Sequence, residues 1–197
     1  MKNTKDVVDL FLKEQESCIK DIFPKTQEIV NMINILLKAR DNGNKIYTMG
    51  NGGSASTASH FVSDLLKTSI TKGDKRFFAI SLVDNIPVNF AWANDVSYNA
   101  IFKEQLKNFL AKNDILIGFS GSGKSGNVVE AMKYGKENGA ICIGITGMDG
   151  GDLLKICDEC FVVPNNDMLA IESIHIMLCH CIVATIRNMG RPLFKYE

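Results

Sequence analysis

From residue 45 onward the chain alternates between short β-rich runs and longer helical stretches. The runs are 45–50, 77–82 (Phe-Phe-Ala-Ile-Ser-Leu), 115–120 (Ile-Leu-Ile-Gly-Phe-Ser), 141–146 (Ile-Cys-Ile-Gly-Ile-Thr) and 160–164. Near-continuous apolar strands suit a sheet covered by helices on both faces, and strands separated by helices pair in parallel through crossovers. The pattern therefore predicts an α/β chain, a three-layer αβα sandwich around a five-stranded parallel sheet. Ligands of such sheets bind beyond the carboxyl ends of the strands. Three of the runs end there in Gly- or Ser-rich turns, at 50–54, 118–126 and 146–151.

The ends of the chain are helical in pattern. Val7, Leu10 and Phe11, then Ile29, Met32, Ile33, Leu36 and Leu37, recur at three and four, and Pro24 divides residues 5–40 into two helices. Asp41-Asn42-Gly43-Asn44 ends the second. A last helix, roughly 168 to 188, is apolar on several faces, with Ile171, Ile174, Ile176, Met177, Leu178, Ile182 and Val183, and calls for broad burial, against another subunit included. We read residues 1–197 as one domain, with a helical oligomerisation segment at 1–43 and an αβα core at 44–190.

Charge narrows the partners. Lys and Arg total 22, as do Asp and Glu, so no net field draws the protein to nucleic acid or an anionic membrane. No apolar run approaches the twenty or so residues of a membrane span, and the start, from Met1 to Asp6, leads into charged helix rather than a signal core. A cytoplasmic protein is expected. Cys18, Cys142, Cys157, Cys160, Cys179 and Cys181 lie in a chain without an export signal, so free, mostly buried thiols are expected. Cys157-Asp-Glu-Cys160 fits C-x-x-C but lacks a second ligand pair and does not open a helix after a strand, which argues against zinc or redox chemistry.

The turn Asn51-Gly52-Gly53-Ser54 delivers the first run straight into a helical pattern. The first N–H groups of a helix lack intrahelical partners and attract anions, and paired glycines let backbone approach a ligand. Ser54 is placed to cap that helix or to donate to a phosphate. One turn further on, His60 and Asp64 share a face at i and i+4.

The second loop has two interpretations. Gly118-Phe119-Ser120-Gly121-Ser122-Gly123-Lys124-Ser125 satisfies the Walker A spacing. The strands downstream of it end in Thr146 and Pro164, however, and not in the Asp that would hold magnesium. The overlapping match to G-x-G-x-x-G at 121–126 lacks its acidic residue about twenty positions on. The other interpretation counts hydroxyls: Ser120, Ser122 and Ser125, with the N–H groups of the next helix, would bind a phosphate monoester without metal, and Lys124 would add charge.

Together, Asn51-Gly-Gly-Ser54, His60-x3-Asp64, Ser120-x-Ser-x-x-Ser125-Gly-Asn and Glu172-x-x-His-x4-His180 make the chain resemble the bacterial phosphoheptose isomerases of the sugar isomerase (SIS) fold, from about residue 5 to 188. The resemblance implies a flavodoxin-like SIS domain. It also implies interconversion of sedoheptulose 7-phosphate and D-glycero-D-manno-heptose 7-phosphate by a homotetramer with active sites at subunit interfaces, often with one zinc per subunit. Carried over by position, Asn51, Gly52, Gly53, Ser54, Asn94 and Asp95 would contact substrate, and Ser120, Gly121, Ser122 and Ser125 would hold the phosphate. His60, Asp64, Glu172 and His180 would ligate metal or move protons, with Asp64 the leading base, His180 the leading acid or metal ligand, and Asp64 and Glu172 also touching substrate.

The chain departs from the family at Asp64 (Glu), Glu172 (Gln), Thr68 (Arg) and Leu169 (Asp). Glu172 adds negative charge, which favours a divalent cation. In one continuous helix Glu172 and His180 stand about 12 Å apart along the axis and about 80° apart around it, so a single ion reaches both only if the helix starts later, the side chains converge or subunits share the site. His175 lies about 140° from His180 on that wheel and is expected to be a core or interface histidine, as Trp92 and Met177 are expected to pack. A sugar-phosphate sensor or replication-initiation adaptor of the same fold, without catalysis, is the alternative.

Overall fold

The first helix starts where Asn3 accepts a hydrogen bond from the Lys5 N–H (3.1 Å). This is a computed structural model that describes residues 3–194, so the first two residues of the Met1–Asp6 start lie outside it, as do 195–197. Helix α1 is Thr4–Ile22. Pro24, which has no N–H to continue it, sits in a 3-10 turn, Phe23–Lys25, and α2, Thr26–Asn42, follows. Gly43 closes α2 in the left-handed conformation (φ 76°).

The expected alternation then runs its course: β1 Lys45–Met49, α3 Gly53–Ser63, β2 Phe78–Ser81, α4 Ile86–Asp95, α5 Ile101–Phe109, β3 Ile115–Ser120, α6 Gly126–Glu137, β4 Ile141–Gly147, α7 Leu153–Ile156, β5 Glu159–Val163 and α8 Met168–Met189. All four strand pairings are parallel, in the order β2-β1-β3-β4-β5. Ile46 faces Ile115, which in turn faces Ile141. The chain turns one way to β2 and the other way to β3, so the switch point lies between the carboxyl ends of β1 and β3.

The pleat sorts the strand residues into two cores. Ile46, Ile115, Ile117, Phe119, Ile143 and Ile145 pack with α1, α2, α3 and α8, whereas Tyr47, Met49, Leu116 and Cys142 pack with α5, α6 and α7. Trp92 and Met177 are partly buried against these cores, as expected. Helix α8 corrects one expectation, because by length and hydropathy it does qualify as a membrane span. It lies instead as a core helix on the sheet, with Ile171, Ile174, Leu178, Ile182, Val183 and Ile186 buried.

The cysteines are free. Cys157 follows α7 and Cys160 lies in β5, and burial pushes both thiols up, away from the thiolate a redox pair requires.

Candidate functional site

Two clusters of polar side chains stand out, one at the switch point and one along α3 and α8. The first is built from the turns after β1 and β3. After β1, Gly52 adopts φ 56° and ψ −125°, a conformation that suits glycine, and α3 begins at Gly53. Gly52 takes the capping position without a side-chain bond, and Ser54 is turned under the turn at 4% exposure, so the structure does not bear out Ser54 as the cap. After β3, the Ser120 and Ser125 hydroxyls lie 2.9 Å apart, the Ser122 hydroxyl accepts from the Lys124 N–H (3.2 Å), and α6 opens behind them.

Amides fasten these turns together. Asn51 and Asn127 donate to each other's side-chain oxygens at 2.9 and 2.8 Å, and the Tyr98 hydroxyl donates to Asn51 Oδ1 at 2.7 Å. Sequence reasoning named Asn51 and passed over Tyr98 and Asn127. The Ser-Gly-Asn that ends the second loop was the available signal for Asn127, and Tyr98 had none. The β3 turn is also braced from behind. Gly123 has φ 66°, an added Cβ there would fall on the Gly150 carbonyl, and its own carbonyl accepts from the Asp152 and Leu153 N–H groups (3.0 and 3.1 Å). The result is a pair of helix N-termini, α3 and α6, opening beside one another, an arrangement that receives an anion.

This geometry removes the Walker A interpretation. Gly118 is a strand residue, paired with Met49 and Gly144, so only 121–125 remain between strand and helix, and Lys124 reaches away to Asp149 (3.0 Å). Asn94 and Asp95 end α4, exposed, with Asn94 donating to Asp95 Oδ1 (2.8 Å).

The second cluster lies along α3 and α8, which run in the same direction side by side. Near their starts Glu172 fills the space that a Cβ on Gly53 would need. Two turns on, about 10 Å along the axis, His60 meets His180 with Nε2 atoms 2.9 Å apart. Asp64 Oδ2 is 3.3 Å from the first ring nitrogen and 3.7 Å from the second. Asp64 opens a π turn, Asp64–Thr68, in which its carbonyl accepts from the Ser69 N–H five residues on (3.0 Å), a widening common at functional positions. Thr68, Val183, Ala184, Arg187 and Asn188 complete the cleft around the imidazoles. Arg187 and Asn188 were not singled out from sequence.

Two imidazoles and one carboxylate are donors for a borderline divalent ion, and a tetrahedral site with bonds of 2.0–2.1 Å has donor-to-donor edges of about 3.3 Å. The three observed separations bracket that value, so this is a candidate metal site. Glu172 is outside the group, as the rise of α8 requires. His175 is fully buried, with Nε2 3.0 Å from the Thr146 carbonyl, and burial lowers its pKa to about 4, which makes it a core histidine. Within one chain the cleft beside Asn51, Gly52 and Tyr98 and the cleft around the imidazoles are separate.

Comparison with known proteins agrees with this fold. Residues 11–147 match the SIS domain family. The phosphoheptose isomerase of Aliarcobacter butzleri is 37% identical over 183 residues, 92% of this chain and 96% of that protein. The probable phosphoheptose isomerase of Thermoplasma acidophilum is 36% identical over 160 residues, 81% of this chain and 87% of that protein. Among solved structures, the phosphoheptose isomerase of Neisseria gonorrhoeae superposes with a TM-score of 0.83 at 27% identity, over 93% of this chain and 98% of that one.

Proposed function

The chain belongs to the phosphoheptose isomerase family of SIS domains, and from that membership we propose that it interconverts sedoheptulose 7-phosphate and D-glycero-D-manno-heptose 7-phosphate. The observation that carries the proposal is the convergence of His60, Asp64 and His180 from helices 120 residues apart in sequence, in a chain that also carries a turn pair suited to phosphate. The same convergence favours an enzyme over a sugar-phosphate binder that has lost catalysis.

In this proposal Ser120, Gly121, Ser122 and Ser125, with the first N–H groups of α6, hold the phosphate. Asn51, Gly52, Gly53, Ser54, Asn94 and Asp95 place the sugar. Glu172, against Gly53, offers a sugar hydroxyl an acceptor at the same turn. In the aldose-to-ketose direction the proton on C2 leaves to a carboxylate and returns to C1, while the O2 proton moves to O1, through an enediol(ate). Asp64 is the proposed base and His180 the proposed acid in the metal-free site or a metal ligand in the loaded one. His60, Asp64 and His180 would hold one zinc per subunit, which when bound supplies a Lewis acid for the carbonyl oxygen. Glu172 would join those ligands only from another subunit.

Because the two clefts are separate in one chain, the working site calls for more than one copy. We propose a homotetramer with active sites at subunit interfaces, residues 1–43 providing self-association. The exposed Val7, Val8, Leu10 and Leu12 on α1 support that role. A cytoplasmic location follows from the proposed metabolite. The test is to incubate pure protein with sedoheptulose 7-phosphate, metal-stripped and with zinc added, and to measure aldose formation. Turnover is expected with zinc, and none under either condition would remove this activity.

A further inference from the structure

We propose that Thr68 is a positioning residue for the metal site: its hydroxyl holds one oxygen of Asp64 so that the other points between the two imidazoles. The inference rests on the metal-binding reading of His60, Asp64 and His180. The Thr68 hydroxyl donates to Asp64 Oδ1 at 2.9 Å, while Asp64 Oδ2 is the oxygen that faces His60 and His180.

This bond is not the one a helical hydroxyl ordinarily makes. Ser69, Ser173 and Thr185 each donate to the backbone carbonyl four residues back, at 2.8, 2.7 and 2.8 Å. Thr68 donates instead to the side chain four residues back, inside the π turn, where the Asp64 carbonyl already accepts from the Ser69 N–H. The carboxylate side chain is only 16% exposed, against 47% and 56% for the two imidazoles, so the hydroxyl donates to a largely buried group.

The chemistry of the donor matters as well. A carboxylate rotates freely about its last bond, and a donor fixed on one oxygen sets the direction of the other. A cationic donor at 68 would pair with Asp64 and draw its charge from the metal, whereas a neutral hydroxyl fixes the geometry and leaves the charge in place. Hydrogen-bond partners of metal ligands ordinarily carry a 10–100-fold share of metal affinity.

The experiment titrates the metal-stripped full chain with cobalt(II), followed by its visible absorption, and with zinc in competition with a chromophoric chelator. Thr68→Val, which keeps the shape and removes the donor, is expected to weaken both ions by about 10–100-fold and to change the cobalt spectrum. Thr68→Ala should repeat that loss, and Thr68→Ser should restore wild-type affinity and spectrum, while thermal unfolding of the metal-free proteins stays together. Wild-type affinity in both Thr68→Val and Thr68→Ala, or a Thr68→Ser as weak as either, would overturn the role of Thr68 alone. A wild-type chain that binds neither ion would overturn the metal reading, and this inference with it.

Discussion

The turn pair at the switch point and the imidazole cleft differ in how their polar groups are satisfied. In the turn pair, Asn51, Asn127, Tyr98, Ser120 and Ser125 bond to one another, and the glycine behind them rests on a carbonyl. In the cleft, two ring nitrogens stand 2.9 Å apart beside one oxygen of Asp64, and Thr68 donates to the other oxygen of that carboxylate. The first region is tied together by its own hydrogen bonds, and the second brings two imidazoles and a carboxylate to the separations of a metal site. A substitution in the cradle should therefore cost stability and substrate binding, whereas one in the cleft should cost catalysis and metal binding with little loss of stability.

The largest separation is expected for His60→Ala. Half exposed and outside both cores, it should leave unfolding free energy within about 0.5 kcal/mol of wild type while lowering kcat/KM about 10³-fold and abolishing bound metal, read by steady-state assay and metal analysis. An equal loss of stability would break the comparison.

A third histidine sharpens it. The buried His175 titrates near 4 in the fold against 6.5 when free, so between those values the unfolded chain binds more protons and stability rises with pH. Its contribution is full above pH 6.5 and is lost as pH falls to 4, about 3 kcal/mol in all, and His175→Gln should remove that share of the dependence in urea unfolding across the same range.

Gly123→Ala forces a Cβ onto the Gly150 carbonyl at a positive φ, and about 2 kcal/mol of stability should go, seen as a lowered Tm, with metal content unchanged. Asn127→Ala is the mildest of the set. It breaks the amide pair with Asn51 for about 1 kcal/mol and should raise KM for the sugar phosphate more than it lowers kcat.

Much of this fold was legible because it is written in local patterns. Strand composition, the break at Pro24 and the stop at Gly43 each act within a few residues, and the five strands fall within a residue of their expected ends. The turn motifs were equally local. What local pattern does not carry is the parallel seam of α3 and α8, which joins His60 to His180 and Gly53 to Glu172 across some 120 positions. The π turn at Asp64 is a one-residue shift in hydrogen-bond register with no residue code of its own. The Walker A match failed for a related reason, since spacing in a string does not say that Gly118 is already committed to a strand. Tyr98 reaches Asn51 from a separate connection, and nothing near it in sequence marks that contact.

The central claim is that this chain moves a proton between adjacent carbons of a heptose phosphate, aided by a cation held by His60, Asp64 and His180. Proton NMR of sedoheptulose 7-phosphate with the zinc-loaded protein tests it directly. The account predicts that the anomeric signal of the aldose appears with wild-type protein and not with His60→Ala. A wild-type spectrum that stays that of the ketose, with zinc bound, would contradict it.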